Sequence, residues 1–223
     1  MKNPVITQLV QKDMELNRKF LVPVSLAGLF SIAITAFSDV GYFVGSLLFI
    51  TTVAAFGIML VMYGVAQERE KQIHLFLLSL PITAEEYYVS KITSSLINFM
   101  VPWSGWAISV IAAILLIDDL ADGALAYAVV MLLYFLCNFC LFLSIVLTTM
   151  SEKVMIATII LTNVGITLSL QLFARVPALG NYLEVDQVVW SPAVSMIVLA
   201  ELLFCVLCFW TSLRILKRKK DLV

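Results

Sequence analysis

The chain has 223 residues, of which 62% are hydrophobic and 13% are charged, and its net charge is -1. Soluble domains are about 45–50% apolar and about 25% charged, so this composition, with a mean hydropathy of +1.03, excludes an ordinary soluble domain. Because one bilayer span needs about 20 apolar residues, we predict an all-α polytopic membrane protein with six transmembrane helices in one membrane domain, residues 1–223. The six runs are Phe20–Phe37, Tyr42–Val65, Ile92–Ile117, Ala124–Met150, Val154–Phe173 and Ala193–Leu213.

The residues before the first run form an amphipathic pattern. Ile6, Leu9, Val10 and Met14 recur at helical spacing, with charged residues between or beside them. Such a helix lies in the headgroup region with its apolar face towards the acyl chains. We therefore predict an interfacial helix over residues 1–19, with a disordered polar tail as the alternative.

The second span opens with a close-packing motif. Gly41 and Gly45 form G-x-x-x-G, which lets two helix backbones approach closely. The pattern leaves open whether the neighbouring helix belongs to the same chain or to a second copy.

Residues 66–91, between the second and third spans, form the most polar stretch of the chain. Ten ionisable residues lie in the 24 positions that begin at Glu68. Pro81 cannot continue a helix, because it lacks a backbone N–H and its ring clashes with the preceding turn. Thr83 lies three residues before Glu86, which is the spacing of a capping box. The pattern predicts one helix that ends before Pro81 and a second that begins after Thr83 and continues into the third span.

The Lys and Arg residues are distributed unevenly over the connections. If the six runs cross the membrane one after another, both termini, residues 66–91 and residues 151–153 lie on the same side. Of the 14 Lys and Arg residues, all except Arg175 lie on that side. Cytoplasmic connections carry the excess of Lys and Arg, so we predict cytoplasmic N- and C-termini and a place in the cell's inner membrane. The opposite connection, residues 174–191, is apolar but broken by Pro and Gly, which predicts short interrupted helices.

Nucleotide-binding and catalytic motifs are absent from the sequence. There is no GxxxxGK[ST] phosphate loop and no GxGxxG turn, so the chain cannot bind a nucleotide through either motif. His74 is the only histidine, which excludes His-based zinc sites and most nucleophile–base pairs. We predict that the chain is not an enzyme and binds no cofactor itself. Membrane topology alone explains the basic C-terminus, so we predict no nucleic-acid partner.

The connection between the second and third spans resembles that of a known family. Two spans are followed by Glu68 and Arg69, then by a helix ending LLSLP at Pro81, then by Lys91 at the start of the third span. This order is similar to that of the permease subunits of type-2 ABC exporters, and the resemblance covers the whole chain. It implies that residues 66–91 contain a coupling helix that docks on a separate cytoplasmic ATPase. The residues expected at that contact are Glu68, Arg69, Phe76, Leu77, Leu78 and Pro81.

The resemblance also implies the other parts of a transporter. Two ATPase copies would hold ATP and Mg²⁺, and a second permease copy or homologue would complete the membrane part. ATP-driven closure would move the coupling helix and switch the access of an export path. Three alternatives stay open: a membrane subunit of cytochrome c maturation complexes that assists haem delivery, a membrane scaffold without transport, and a solvated loop without a partner.

One acidic residue lies inside a predicted span. Glu201 is eight residues from Ala193, which places it about 12 Å below the outer end of the sixth span. A membrane-embedded carboxylate faces a polar cavity or a partner helix by default, so Glu201 is a candidate substrate or proton contact in a translocation path. The alternative is a protonated or hydrogen-bonded acid that packs against Asn163, Ser169 or Gln171.

Two C-x-x-C pairs lie inside the fourth and sixth spans. Their first members lie at similar depths, about 18–20 Å from the outer ends, and four thiolates could hold copper(I) or zinc. Cysteine also packs as a small apolar residue between helices. The four residues are Cys137, Cys140, Cys205 and Cys208.

Overall fold

The computed structural model describes residues 4–35, 37–66, 83–116, 124–149, 151–180 and 190–220. Every regular element in these ranges is helical, since a helix satisfies its own backbone polar groups where no water is present. The six long helices are α1 Pro4–Thr35, α2 Asp39–Val61, α3 Ala84–Leu116, α4 Ala124–Thr148, α5 Glu152–Phe173 and α6 Pro192–Lys220. A π-helical turn, Met62–Ala66, extends α2, and a one-turn helix, Pro177–Gly180, precedes α6.

All six long helices are long and apolar enough to span a membrane, so the predicted all-α, six-span membrane protein is confirmed. The first helix differs in one respect from its prediction. A separate interfacial helix was expected over residues 1–19, whereas α1 is one continuous helix from Pro4 to Thr35. No Gly or Pro lies between residues 5 and 22, so nothing ends the helix before the span. That its first part lies in the headgroup region stays a prediction.

The core of the bundle is built around α4. In its most apolar stretch 67% of the residues are buried, compared with 11% in α1 and in α6. A row of aromatic rings connects α4 to the first three helices: Phe139 of α4 stacks on Phe99 of α3 with 4.0 Å between ring centroids, and Phe99 stacks on Phe56 of α2 at 5.6 Å. Phe20 of α1 completes the row, 6.1 Å from Phe56. Stacked rings of this kind fix the relative positions of the helices that carry them.

Glycines allow α1 to approach both α2 and α3 closely. A Cβ at Gly45 would lie 2.7 Å from the backbone oxygen of Ser31 in α1. A Cβ at Gly28 would overlap the indole of Trp106 in α3, whose Nε1 donates to the Ser25 carbonyl at 3.0 Å. The G-x-x-x-G motif therefore packs within the chain, against α1.

The start of α3 carries the predicted capping box. The Thr83 N–H donates to Glu86 Oε2 at 2.8 Å, and the Glu86 N–H donates to Thr83 Oγ1 at 3.2 Å. The helix then continues through Pro102 to Leu116. The interpretation of residues 83–91 as a helix start that leads into the third span is therefore confirmed.

The connection from α5 to α6 is partly described. Of residues 174–191, the structure includes the one-turn helix Pro177–Gly180, whose Leu179 is fully buried with Ala126 and Val130 of α4 and Val194 of α6. A one-turn helix in this stretch agrees with the predicted short interrupted helices. Residues 181–189 lie outside the described residues.

Candidate functional site

The residues predicted to contact an ATPase lie outside the part of the chain that the structure describes, within residues 67–82. They are Glu68, Arg69, Phe76, Leu77, Leu78 and Pro81. Their role stays a prediction. The structure does describe the two points where this segment joins the bundle, namely the π-helical turn that ends at Ala66 and the capping box that begins at Thr83.

A buried polar cluster joins three helices at the first of these points, and its Lys91 lies eight residues, or about 12 Å, along the chain from the second. Lys91 Nζ of α3 donates to Oδ1 and Oδ2 of Asp13 in α1, at 3.0 and 2.9 Å. The same ammonium donates to the carbonyl of Gly64, in the π-helical turn, at 3.3 Å. Ser94 Oγ donates to Asp13 Oδ2 at 2.9 Å. Lys91 is 2% exposed and Asp13 is 6% exposed, so this is an ion pair removed from water.

The groups of this polar cluster satisfy one another. A buried charge is very unfavourable unless it is paired and its remaining hydrogen-bonding capacity is filled. The three donors of the Lys91 ammonium meet both oxygens of the Asp13 carboxylate and one backbone carbonyl, while Ser94 supplies a further donor to the carboxylate. Lys12 Nζ, with a side chain 39% exposed, lies 3.5 Å from Asp13 Oδ1. The arrangement holds helices together and contains no nucleophile–base pair.

The polar cluster is not among the predicted features, although the sequence contains one signal for it. Asp13 follows Leu9 by four residues and Val10 by three, so it falls on the apolar face of the helix and not beside it. A charge at the centre of an apolar face predicts a buried partner. That partner lies 78 positions further along the chain, beyond the reach of any local spacing rule.

Glu201 lies at the contact between α4 and α6. Both carboxylate oxygens are buried and have no hydrogen-bond partner among the described residues, while the Glu201 carbonyl oxygen is 3.2 Å from Cys137 Sγ. The predicted alternative of a hydrogen bond to Asn163, Ser169 or Gln171 is not formed. Asn163 Nδ2 and Ser169 Oγ instead donate to carbonyls of their own helix, because α5 packs chiefly against α4.

The four cysteines meet at the same contact between α4 and α6. Cys137 Sγ and Cys205 Sγ are 3.5 Å apart, so the two thiols predicted to lie at similar depths do touch. Cys137, Cys140 and Cys208 are buried, Cys205 is half-buried, and all four thiols are free. Within the described ranges, no three His, Cys, Asp or Glu side chains are arranged to hold a metal ion. The copper or zinc hypothesis therefore gains no support from the geometry and stays a prediction.

The outer face of α5 carries a polar stripe that sequence analysis did not single out. Asn163, Thr167 and Gln171 recur every four residues on one helix face, and all three are exposed. Only 17% of the most apolar stretch of α5 is buried. Amide side chains are unfavourable against acyl chains and normally face a partner helix or a polar cavity. This face of α5 is therefore suited to contact with a partner or with a polar cavity.

A cavity of about 130 Å³ lies between α1, α2, α3 and α4, at the end of the bundle away from the polar cluster. Its lining is mainly apolar, including Phe49, Ile114 and Met131, with hydroxyl groups from Ser46 and Tyr127. A space of this size suits a small apolar group. It includes neither Glu201 nor the cysteines, so the structure does not join the candidate path residue to this cavity.

Comparison with known proteins adds one finding. A family model described as ABC-2 family transporter protein matches residues 8–216. The matched region contains the polar cluster, residues 66–91, Glu201 and the four cysteines. No curated protein matches the chain, and no solved structure matches it.

Proposed function

The chain belongs to the ABC-2 transporter family, whose model matches residues 8–216, and from this membership we propose that it is the membrane-spanning permease subunit of an ATP-driven exporter. The family match is the observation that carries the proposal, and the bundle of six spanning helices agrees with it. Substrate would cross the bilayer when ATPase subunits in the cytoplasm act on this chain.

The ATPase is proposed to be a separate protein. The sequence contains no phosphate-binding loop, so ATP and Mg²⁺ would be held by two copies of a cytoplasmic ABC ATPase, and this chain would not be catalytic. A ligand changes a conformational equilibrium only if it binds the two states with different affinity. ATP bound to the partner would supply that difference here.

The contact with the ATPase is proposed to lie in residues 66–91. Phe76, Leu77 and Leu78 are more apolar than a solvated loop needs, and a docked helix would bury them. Glu68 and Arg69 would form charged contacts with the same partner. Support for this position comes from the charge of the segment and from its place between two spanning helices.

The orientation in the membrane follows from the distribution of Lys and Arg. We place residues 66–91 and both termini in the cytoplasm and the chain in the inner membrane, because 13 of the 14 basic residues would then lie inside. A second permease copy would cover the α5 stripe of Asn163, Thr167 and Gln171, which is unfavourable against lipid, and would form a polar path beside it. Glu201 is proposed as a further substrate or proton contact.

ATP hydrolysis by the assembled complex tests the proposal. The tagged chain would be purified from native membranes in mild detergent, and MgATP hydrolysis by the co-purifying ABC ATPase would be measured in lipid nanodiscs with and without the chain. We expect the chain to stimulate hydrolysis and Leu77→Asp to abolish the stimulation. Lys153→Glu, an exposed substitution at the same end of the bundle, is the matched control and should have no effect.

Three outcomes would contradict the proposal. Hydrolysis that is unchanged by the chain would exclude an ATP-driven permease. Co-purification with haem-handling proteins and no ABC ATPase would favour the cytochrome c maturation alternative, and a chain without any partner would favour the scaffold.

A further inference from the structure

One side chain, Lys91, connects the two helices between which residues 67–82 lie. Gly64, whose carbonyl accepts from Lys91 Nζ, lies three residues before residue 67, and Lys91 itself lies nine residues after residue 82. The same ammonium is paired with Asp13 of α1. The Lys91 ammonium therefore connects the turn that precedes the segment to α3, which follows it, and to α1.

Helix packing does not by itself require an ion pair at this position. Well-packed apolar residues often replace a buried pair without loss of stability, and elsewhere this bundle is held by aromatic stacks. The end of α2 is also unusual, since its last turn, Met62–Ala66, is π-helical. Turns of that kind are rare and are frequent at functional sites. The polar cluster thus coincides with a departure from regular helix at the point where the coupling segment begins.

We propose that Asp13 and Lys91 are positioning residues that join the coupling segment to α1, so that the motion of the segment moves α1 together with α3. The proposal rests on the proposed function, because it assumes an ATPase that moves this segment. Neither residue touches nucleotide or substrate. Their role is to keep α1, the end of α2 and the start of α3 in a fixed relation.

A second contact lets α1 and α3 move as a pair. Trp106 of α3 donates to the Ser25 carbonyl of α1 at 3.0 Å, 12 residues or about 18 Å along α1 from Asp13. Two contacts at different levels prevent one helix from rotating against the other. Only 11% of the apolar stretch of α1 is buried within the chain, so most of its surface faces away from the other helices.

The test compares single and paired neutral variants in the complex with the ATPase. Asp13→Asn and Lys91→Met each leave one buried charge without its partner, and either variant could simply fail to fold. The double variant D13N/K91M leaves no buried charge without a partner, since Lys12, which also lies near Asp13, is 39% exposed, so the variant should fold and assemble. Glu15→Gln, on the same helix but exposed, and Lys153→Met, exposed at the same end of the bundle, are the matched controls.

Two quantities are measured in nanodiscs: the stimulation of MgATP hydrolysis, and the change in amide hydrogen exchange that MgATP causes in residues 9–16 and in residues 83–90. In D13N/K91M we expect assembly to be kept and stimulation to fall about tenfold, a typical coupling factor between sites. The response of residues 83–90 should persist while that of residues 9–16 is lost. Both controls should behave as the wild type.

The outcomes separate this inference from the proposed function. A double variant that assembles, stimulates hydrolysis and shows the wild-type exchange response in residues 9–16 overturns the positioning role and leaves the permease intact. A wild-type chain that neither binds nor stimulates an ABC ATPase overturns the proposed function, and the positioning role with it.

Discussion

Gly45→Ala distinguishes packing within the chain from packing between copies at the G-x-x-x-G motif. A Cβ at Gly45 would lie 2.7 Å from Ser31 O and 2.8 Å from Thr35 N, whereas ordinary contact begins at 3.4 Å. Both neighbours are backbone atoms, so α1 and α2 would have to separate by about 0.7 Å, the difference between 3.4 and 2.7 Å. Overpacking of this kind destabilises a protein by about 1–3 kcal/mol.

Gly105→Ala is the matched control for this prediction. Gly105 lies inside α3, and nothing lies within 4 Å of a Cβ built there. Each substitution gains the same helix propensity, about 1 kcal/mol, so the difference between the two variants isolates the steric term. We expect Gly45→Ala to be less stable than Gly105→Ala by about 1–3 kcal/mol.

Reversible unfolding in mixed micelles would measure this difference, and cross-linking in membranes would report self-association. Equal free energies of unfolding for the two variants would refute close packing of Gly45 on α1. If Gly45→Ala also lost self-association at unchanged stability, the motif would belong to an interface between two copies.

Three further predictions concern the α4–α6 contact and the start of α3. Glu201→Leu removes a buried carboxyl without a partner, so thermal melting should show a free energy of unfolding that is higher by up to about 1–3 kcal/mol, while transport falls. Wild-type transport in both the Leu and the Gln variant would exclude Glu201 from the path. Mild oxidation with diamide should form a disulfide between Cys137 and Cys205, which are 3.5 Å apart at sulfur, and mass spectrometry would identify it. A disulfide between Cys137 and Cys140 instead would contradict this contact. Thr83→Ala should weaken the first turn of α3 by about 1 kcal/mol, seen as faster amide exchange there; unchanged exchange would argue against the capping box.

Local patterns predicted the parts of the fold that depend on local forces. The six spans follow from run length, and the capping box of Thr83 and Glu86 follows from a spacing of three residues. Each signal reports an interaction within one turn or one helix. For that reason the bounds of α2 to α5 differ by only a few residues from the predicted runs, apart from the start of α3, where the helix begins at the capping box.

The candidate site depends on which helices face each other, and periodicity does not report that. Depth along each span correctly indicated that Cys137 and Cys205 could meet. The same reasoning gave Glu201 the wrong neighbours, because α6 packs chiefly on α4 and not on α5. Asp13 falls within the predicted interfacial helix and Lys91 at the start of the third span, and no local rule pairs residues so far apart.

Site-specific photo-cross-linking at position 78 tests the central claim most directly. A photoreactive amino acid would replace Leu78 in the native complex, and the same probe would replace Val154, an exposed residue at the same end of the bundle, as the control. If an ABC ATPase drives this permease through residues 66–91, irradiation should link position 78 to that ATPase and leave position 154 unlinked. A complex that contains the ATPase but forms no adduct at position 78 would contradict the account.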